Sequence, residues 1–177
     1  NVLFGFGIEN MGITHESLSD FECEDPYIAG IDSCFNAGPS HYSATKSTVD
    51  LTAFSSVRFE WNQCTSGGLF KIYIWEETEG MPGNDIYSEL LLTENNAGWN
   101  YSIISTTDLS NSEDLWIGIR EYTATQAIGL DTDNVGCSVV DYGEGWEELE
   151  DGNLAYRLTS CLDDNPAGCF ETGCPDN

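Results

Sequence analysis

The stretch FKIYIWEETEGMPGNDIYSELL, residues 70–91, decides how the chain reads. Phe70, Ile72 and Ile74 fall on one side of an alternation; Lys71, Tyr73 and Trp75 fall on the other. A period of two with one apolar side is the signature of a half-buried antiparallel strand. Gly80-Met81-Pro82-Gly83 follows. Proline fixes one φ angle and glycine permits tight reversal, so the run is expected to turn the chain into a second strand near 86–92. Four carboxylates surround it: Glu76, Glu77, Glu79 and Asp85. Catalytic carboxylate pairs need one acid whose pKa is raised by an apolar wall. The sequence implies no such wall here, so a solvated turn is expected. A cation held at Glu77 and Glu79 is the alternative, because hard cations need clustered oxygen ligands.

Working outward, the same alternation recurs. Val57, Phe59 and Trp61 oppose Arg58 and Glu60; Leu115, Ile117 and Ile119 oppose Trp116, Gly118 and Arg120; Leu154, Tyr156 and Leu158 oppose Ala155 and Arg157. Further strands are expected near 2–8, 48–54, 99–105, 126–130 and 136–141, with turn signals between them. No segment sustains a helical apolar stripe. Many short strands in 177 residues predict an all-β fold, an antiparallel β-sandwich of jelly-roll-like form. One domain is expected over 1–161. Residues 9–47 read as an irregular region stapled by Cys23 and Cys34, and 162–177 as a cysteine-containing tail or linker.

Charge removes whole classes of partner. Asp and Glu number 31 against 5 Lys and Arg, a formal net charge of −26. Such a surface repels phosphates, so nucleic acid and anionic membrane surfaces are not expected partners, and no apolar run reaches membrane-spanning length. The seven cysteines, Cys23, Cys34, Cys64, Cys137, Cys161, Cys169 and Cys174, lack the paired spacing of a zinc site. Disulfides and an extracellular or cell-surface location are expected, with one thiol over. A chain starting at Asn1 is expected to be processed or cut from a longer protein.

Other motifs are weaker. Asp131-Thr-Asp133-Asn134-Val-Gly136 resembles the first half of a calcium loop, although Tyr142 stands where the bidentate Glu would be. Calcium is therefore the one cofactor these residues point to, and no organic cofactor is implied. His15 and His41 lack a nucleophile motif nearby, so no enzyme is expected. Tyr73, Trp75 and Trp116 lie opposite the aliphatic positions of their strands. They read as packing, or alternatively as a platform that stacks on sugar rings. Trp99 and Trp146 read as strand-edge packing. Val2, Leu3, Phe4, Phe6 and Ile8 form an apolar strand, either the first of the sandwich or one donated to a neighbouring subunit. Asn100-Tyr101-Ser102 is a glycosylation sequon.

From about Phe54 to Ser160 the chain resembles a β-sandwich module of secreted multidomain surface and adhesin-type proteins of Bacteroidetes-type bacteria. The shared features are Phe70–Trp75, the acidic turn with Gly80-Met81-Pro82-Gly83, Ile86-Tyr87-Ser88, Gly98-Trp99-Asn100, Leu115–Gly118, the Asp131–Cys137 loop, Gly145-Trp146 and Leu154–Leu158. The resemblance implies a sandwich that is accessory, adhesive or interacting, without catalysis. The expectation is a non-catalytic extracellular structural or adhesive module, including the subunit of a filament assembled by strand exchange. Its partners would be other copies or neighbouring domains. The alternative is a carbohydrate-binding module.

Overall fold

The computed structural model describes residues 30–47, 49–92, 96–109, 114–123, 127–133 and 136–160. They form two packed six-stranded antiparallel sheets. The first contains β1 (Ser33–Phe35), β3 (Ser56–Gln63), β6 (Gly98–Ser105), β8 (Ile128–Asp131), β11 (Asn153–Leu154) and β12 (Tyr156–Ser160). The second contains β2 (Tyr42–Ser47), β4 (Leu69–Thr78), β5 (Met81–Leu92), β7 (Leu115–Glu121), β9 (Ser138–Asp141) and β10 (Trp146–Glu148). Its order is β10-β9-β2-β7-β4-β5. Apart from the steps β4–β5, β9–β10 and β11–β12, each connection crosses to the other sheet, which gives the jelly-roll-like path.

The alternations set the core. Phe70, Ile72 and Ile74 of β4 and Ile117 and Ile119 of β7 share one buried cluster with Val57, Phe59 and Trp61 of β3 and Leu154, Tyr156 and Leu158. Trp61 meets Phe70 edge-on, with ring centroids 5.2 Å apart. Buried side chains of this size are each stabilised by about 1.5–3 kcal/mol through removal from water.

Three expectations are corrected. The irregular region assigned to 9–47 contains two regular strands, and β2 lies inside the second sheet between β9 and β7. Its core-facing positions are Ser43, Thr45 and Ser47, all buried. Their polarity hid the strand, and hydrogen bonds make it tolerable: Ser43 Oγ lies 2.8 Å from the Tyr156 hydroxyl, and Thr45 Oγ1 lies 2.8 Å from Ser138 Oγ and donates to the Leu154 carbonyl. Cys34 is not joined to Cys23; it bonds Cys64, tying β1 to the end of β3. Cys137 is also disulfide-bonded, to a partner outside the described residues. Finally, the strand expected at 48–54 is a 3-10 turn, Leu51–Ala53, whose start is capped by Asp50 accepting from the Thr52 amide at 2.8 Å.

The β4–β5 hairpin also differs in detail. Its turn is Glu79-Gly80, both with positive φ (53° and 82°), between paired Thr78 and Met81. This is the geometry that matches strand twist in a two-residue hairpin. Pro82 sits inside β5, which an edge strand permits because its missing N–H faces away from the ladder. Gly83 is needed for space, since a Cβ there would run into the Thr78 side chain.

Candidate functional site

The outward face of the second sheet carries a second cluster, built from Ala44, Tyr73, Trp75, Trp116 and Val139 with Tyr42, Met81 and Trp146 packed against it. Strand register arranges it in rows. One runs Tyr73–Gly118–Ala44–Val139, and its two small central residues lower the surface. On one side lies Lys71–Arg120–Tyr42–Asp141–Trp146, on the other Asp85–Trp75–Trp116–Lys46. Between them opens a groove of about 400 Å³, faced by the rings of Tyr42, Tyr73, Trp75 and Trp146 and by Asn84, Asp85 and Asp141.

The rings are held by one another. Tyr73 stacks on Trp75 with centroids 5.1 Å apart and planes 8° from parallel. Trp146 meets Trp75 edge-on at 5.3 Å, and Tyr42 meets Tyr73 edge-on at 5.5 Å. Such pairs contribute about 0.5–1.5 kcal/mol each beyond burial, so the groove is preformed. Tyr73 and Trp75 make a nearly covered floor, 7% and 5% exposed, while Tyr42 and Trp146 stand half-buried as walls. Burial raises the pKa of both Tyr42 and Tyr73, with the Tyr73 phenol adding to it at Tyr42 and the Tyr122 phenol at Tyr73. Both hydroxyls therefore stay protonated.

Two local devices place the polar groups. In β5 the register shifts between Ile74 and Trp75 and again between Trp75 and Glu77. Tyr87 pairs with Ile74 and packs on the main core, yet Asp85, two residues earlier, pairs with Trp75 on the outer face. In a regular strand both would share a face; the bulge re-aims Asp85 into the groove. Asn84 is fixed by donating to Glu76 Oε1 at 2.6 Å. At the other end, Asp141 Oδ1 accepts from the amides of Gly143 (2.6 Å) and Gly145 (3.1 Å), both glycines having positive φ. That turn returns the chain so that Trp146 pairs with Asp141.

The sugar-stacking candidates thus divide. Trp116 is completely buried and presents no face to a ligand, which corrects its assignment; Tyr73 and Trp75 do reach the groove. The walls differ from expectation. Tyr42 lies in the stretch expected to be irregular, and Trp146, expected to pack at a strand edge, is presented to the groove by the turn that Asp-x-Gly-x-Gly-Trp carries. Trp99 is 42% exposed on the outer face of the first sheet, not packed away, and shares one face of β6 with exposed Tyr101 and Ile103. Arg157 stacks on Trp99 and Arg58 on Tyr101, and both arginines pair with Glu60.

The metal candidates are not drawn together. Asp131 ends β8 of the first sheet, where its Oδ1 accepts from the Asp133 amide at 3.1 Å. Glu77 belongs to β4 of the second sheet and bonds Lys46 at 2.7 Å; Glu79 forms the hairpin turn. Asn134 lies outside the described residues, as do Val2, Leu3, Phe4, Phe6, Ile8, His15, Cys23, Cys161, Cys169 and Cys174. Among the described residues no group of three or more His, Cys, Asp or Glu is placed to hold a metal ion. His41 is half-buried, its Nδ1 2.6 Å from the Ala37 carbonyl and its ring edge-on to Tyr142. No family model, curated protein or solved structure matches the chain.

Proposed function

We propose that the protein is a non-catalytic, extracellular adhesive β-sandwich module that binds a glycan in the outer groove of its second sheet. The observation that carries this reading is the preformed set of four rings bordered by Asn84, Asp85 and Asp141. Apolar sugar faces stack on aromatic rings, and amide, carboxylate and phenol groups at the border suit sugar hydroxyls. The Cys34–Cys64 bond supports an oxidising, extracellular setting. The test is a glycan array or affinity gel comparing wild type with Trp146→Ala. Retention by at least one glycan, lost in the variant, is expected. A wild type retained by none, or a variant retained equally well, sinks the proposal.

A second reading, self-assembly by strand addition, is favoured by a different observation. Among the described residues β12 pairs on one side only, with β3. Beside it a cleft of about 70 Å³ reaches Val49, Ile117, Tyr156 and Leu158. An added strand would continue the ladder and place alternate apolar side chains over that cleft. Residues 2–8 have the required alternation of apolar residues, and a second copy could supply them. Deleting residues 1–8 should leave a folded monomer in light scattering while the full chain forms larger species in saline. A full chain that stays monomeric at high concentration ends this reading.

A further inference from the structure

We propose that the groove selects glycans bearing free amino groups, a reading that rests on its being a glycan site. Its lining includes two carboxylates, Asp85 and Asp141, while the nearby cations Lys71 and Arg120 lie over the Tyr73 and Tyr42 rings. Neither is in an ion pair among the described residues, where the pairs are those of Lys46, Arg58 and Arg157 with Glu60, Glu77 and Asp114. Asp141 spends Oδ1 on its own turn, whereas the second oxygen has no such duty. Each carboxylate is paired in register with a ring of the groove, Asp85 with Trp75 and Asp141 with Trp146. A sugar stacked on the ring would therefore carry an amino substituent at its rim toward a carboxylate.

The same face already takes cations on its rings. The Lys71 ammonium lies 4.9 Å from the Tyr73 ring centre and the Arg120 guanidinium 5.1 Å from that of Tyr42. With the Tyr42 and Tyr73 rings so occupied, an ammonium on the ligand would gain from the two carboxylates and from the Trp75 and Trp146 rings paired with them. The net charge of −26 raises the local concentration of cationic ligands and repels uronic or sulfated ones. Asp85 is on β5 and Asp141 on β9, four strand spacings apart. Yet the rings paired with them, Trp75 and Trp146, meet with centroids 5.3 Å apart, so both carboxylates face one groove.

The experiment is titration calorimetry of the whole protein at pH 6. The ligands are a glucosamine tetrasaccharide, its N-acetylated counterpart and a uronic acid tetrasaccharide. The free-amine oligomer should bind about tenfold more tightly than the acetylated one, the uronate should not bind, and Asp85→Asn should shrink the preference. Trp146→Ala, which leaves the charge unchanged, should abolish binding of both. Equal affinity for free and acetylated oligomers would overturn the selection while leaving the glycan site standing. Survival of free-amine binding in Trp146→Ala would reveal attraction by net charge alone and would also overturn it. Failure of all three ligands and of every array glycan would remove the site itself.

Discussion

Glu121 takes the core-facing place in β7 that Leu115, Ile117 and Ile119 hold before it, and it is fully buried. Its Oε1 accepts from the Ala37 amide at 3.2 Å, and its Oε2 has no hydrogen-bond partner among the described residues. Burial pushes this carboxyl up from 4.5 to about 7, against the opposing pull of the Ala37 and Gly38 amides. A pKa raised by folding means that the folded state holds its proton more tightly. The associated stability is complete below about 4.5 and is lost as the pH rises through about 7. At 1.36 kcal/mol per unit the loss is roughly 3 kcal/mol. Many other acids also respond to pH, so the measurement is a difference: urea unfolding of wild type and Glu121→Gln at several values across this window. Glutamine imitates the protonated acid, so the variant should gain on wild type as the pH rises. Parallel curves would show that Glu121 ionises freely in the fold.

At the level of elements, the legible strands are those whose buried side is aliphatic or aromatic. β3, β4, β7 and β12 could be read with their faces assigned, because transfer of apolar area from water leaves a period-two record in the chain. β2 left none. Its buried side is Ser43, Thr45 and Ser47, made tolerable by groups such as Tyr156, Ser138 and Leu154 that lie about a hundred residues away in the chain. A local pattern cannot announce a distant hydroxyl. One of the groove's four rings belongs to that strand, since Tyr42 stands at its start. The bulge in β5 was equally silent: Asp85 and Tyr87 look like residues of one face until the register shift separates them. Trp146 carried a usable signal in Asp141, Gly143 and Gly145, because a carboxylate capturing two amides with positive-φ glycines fixes a turn. The rings of β4, by contrast, could be placed outward from Phe70–Trp75 alone.

Taken whole, the molecule has 31 acidic groups and 5 Lys and Arg, and all five cations are engaged. Lys46 pairs with Glu77, Arg58 and Arg157 with Glu60, while Lys71 and Arg120 lie over tyrosine rings. Most of the acidic surface thus repels itself, which opposes the compact state. Salt shortens the reach of that repulsion, from about 10 Å at 0.1 M to about 3 Å at 1 M. Thermal unfolding should therefore shift to higher temperature with added sodium chloride, and a flat or falling Tm would contradict this account. Divalent ions separate a diffuse effect from a built one. If the effect is diffuse screening alone, calcium and magnesium should raise Tm equally at matched ionic strength. A calcium-specific increment reversed by chelator would place a dedicated centre on this chain and return the Asp131–Gly136 loop to consideration.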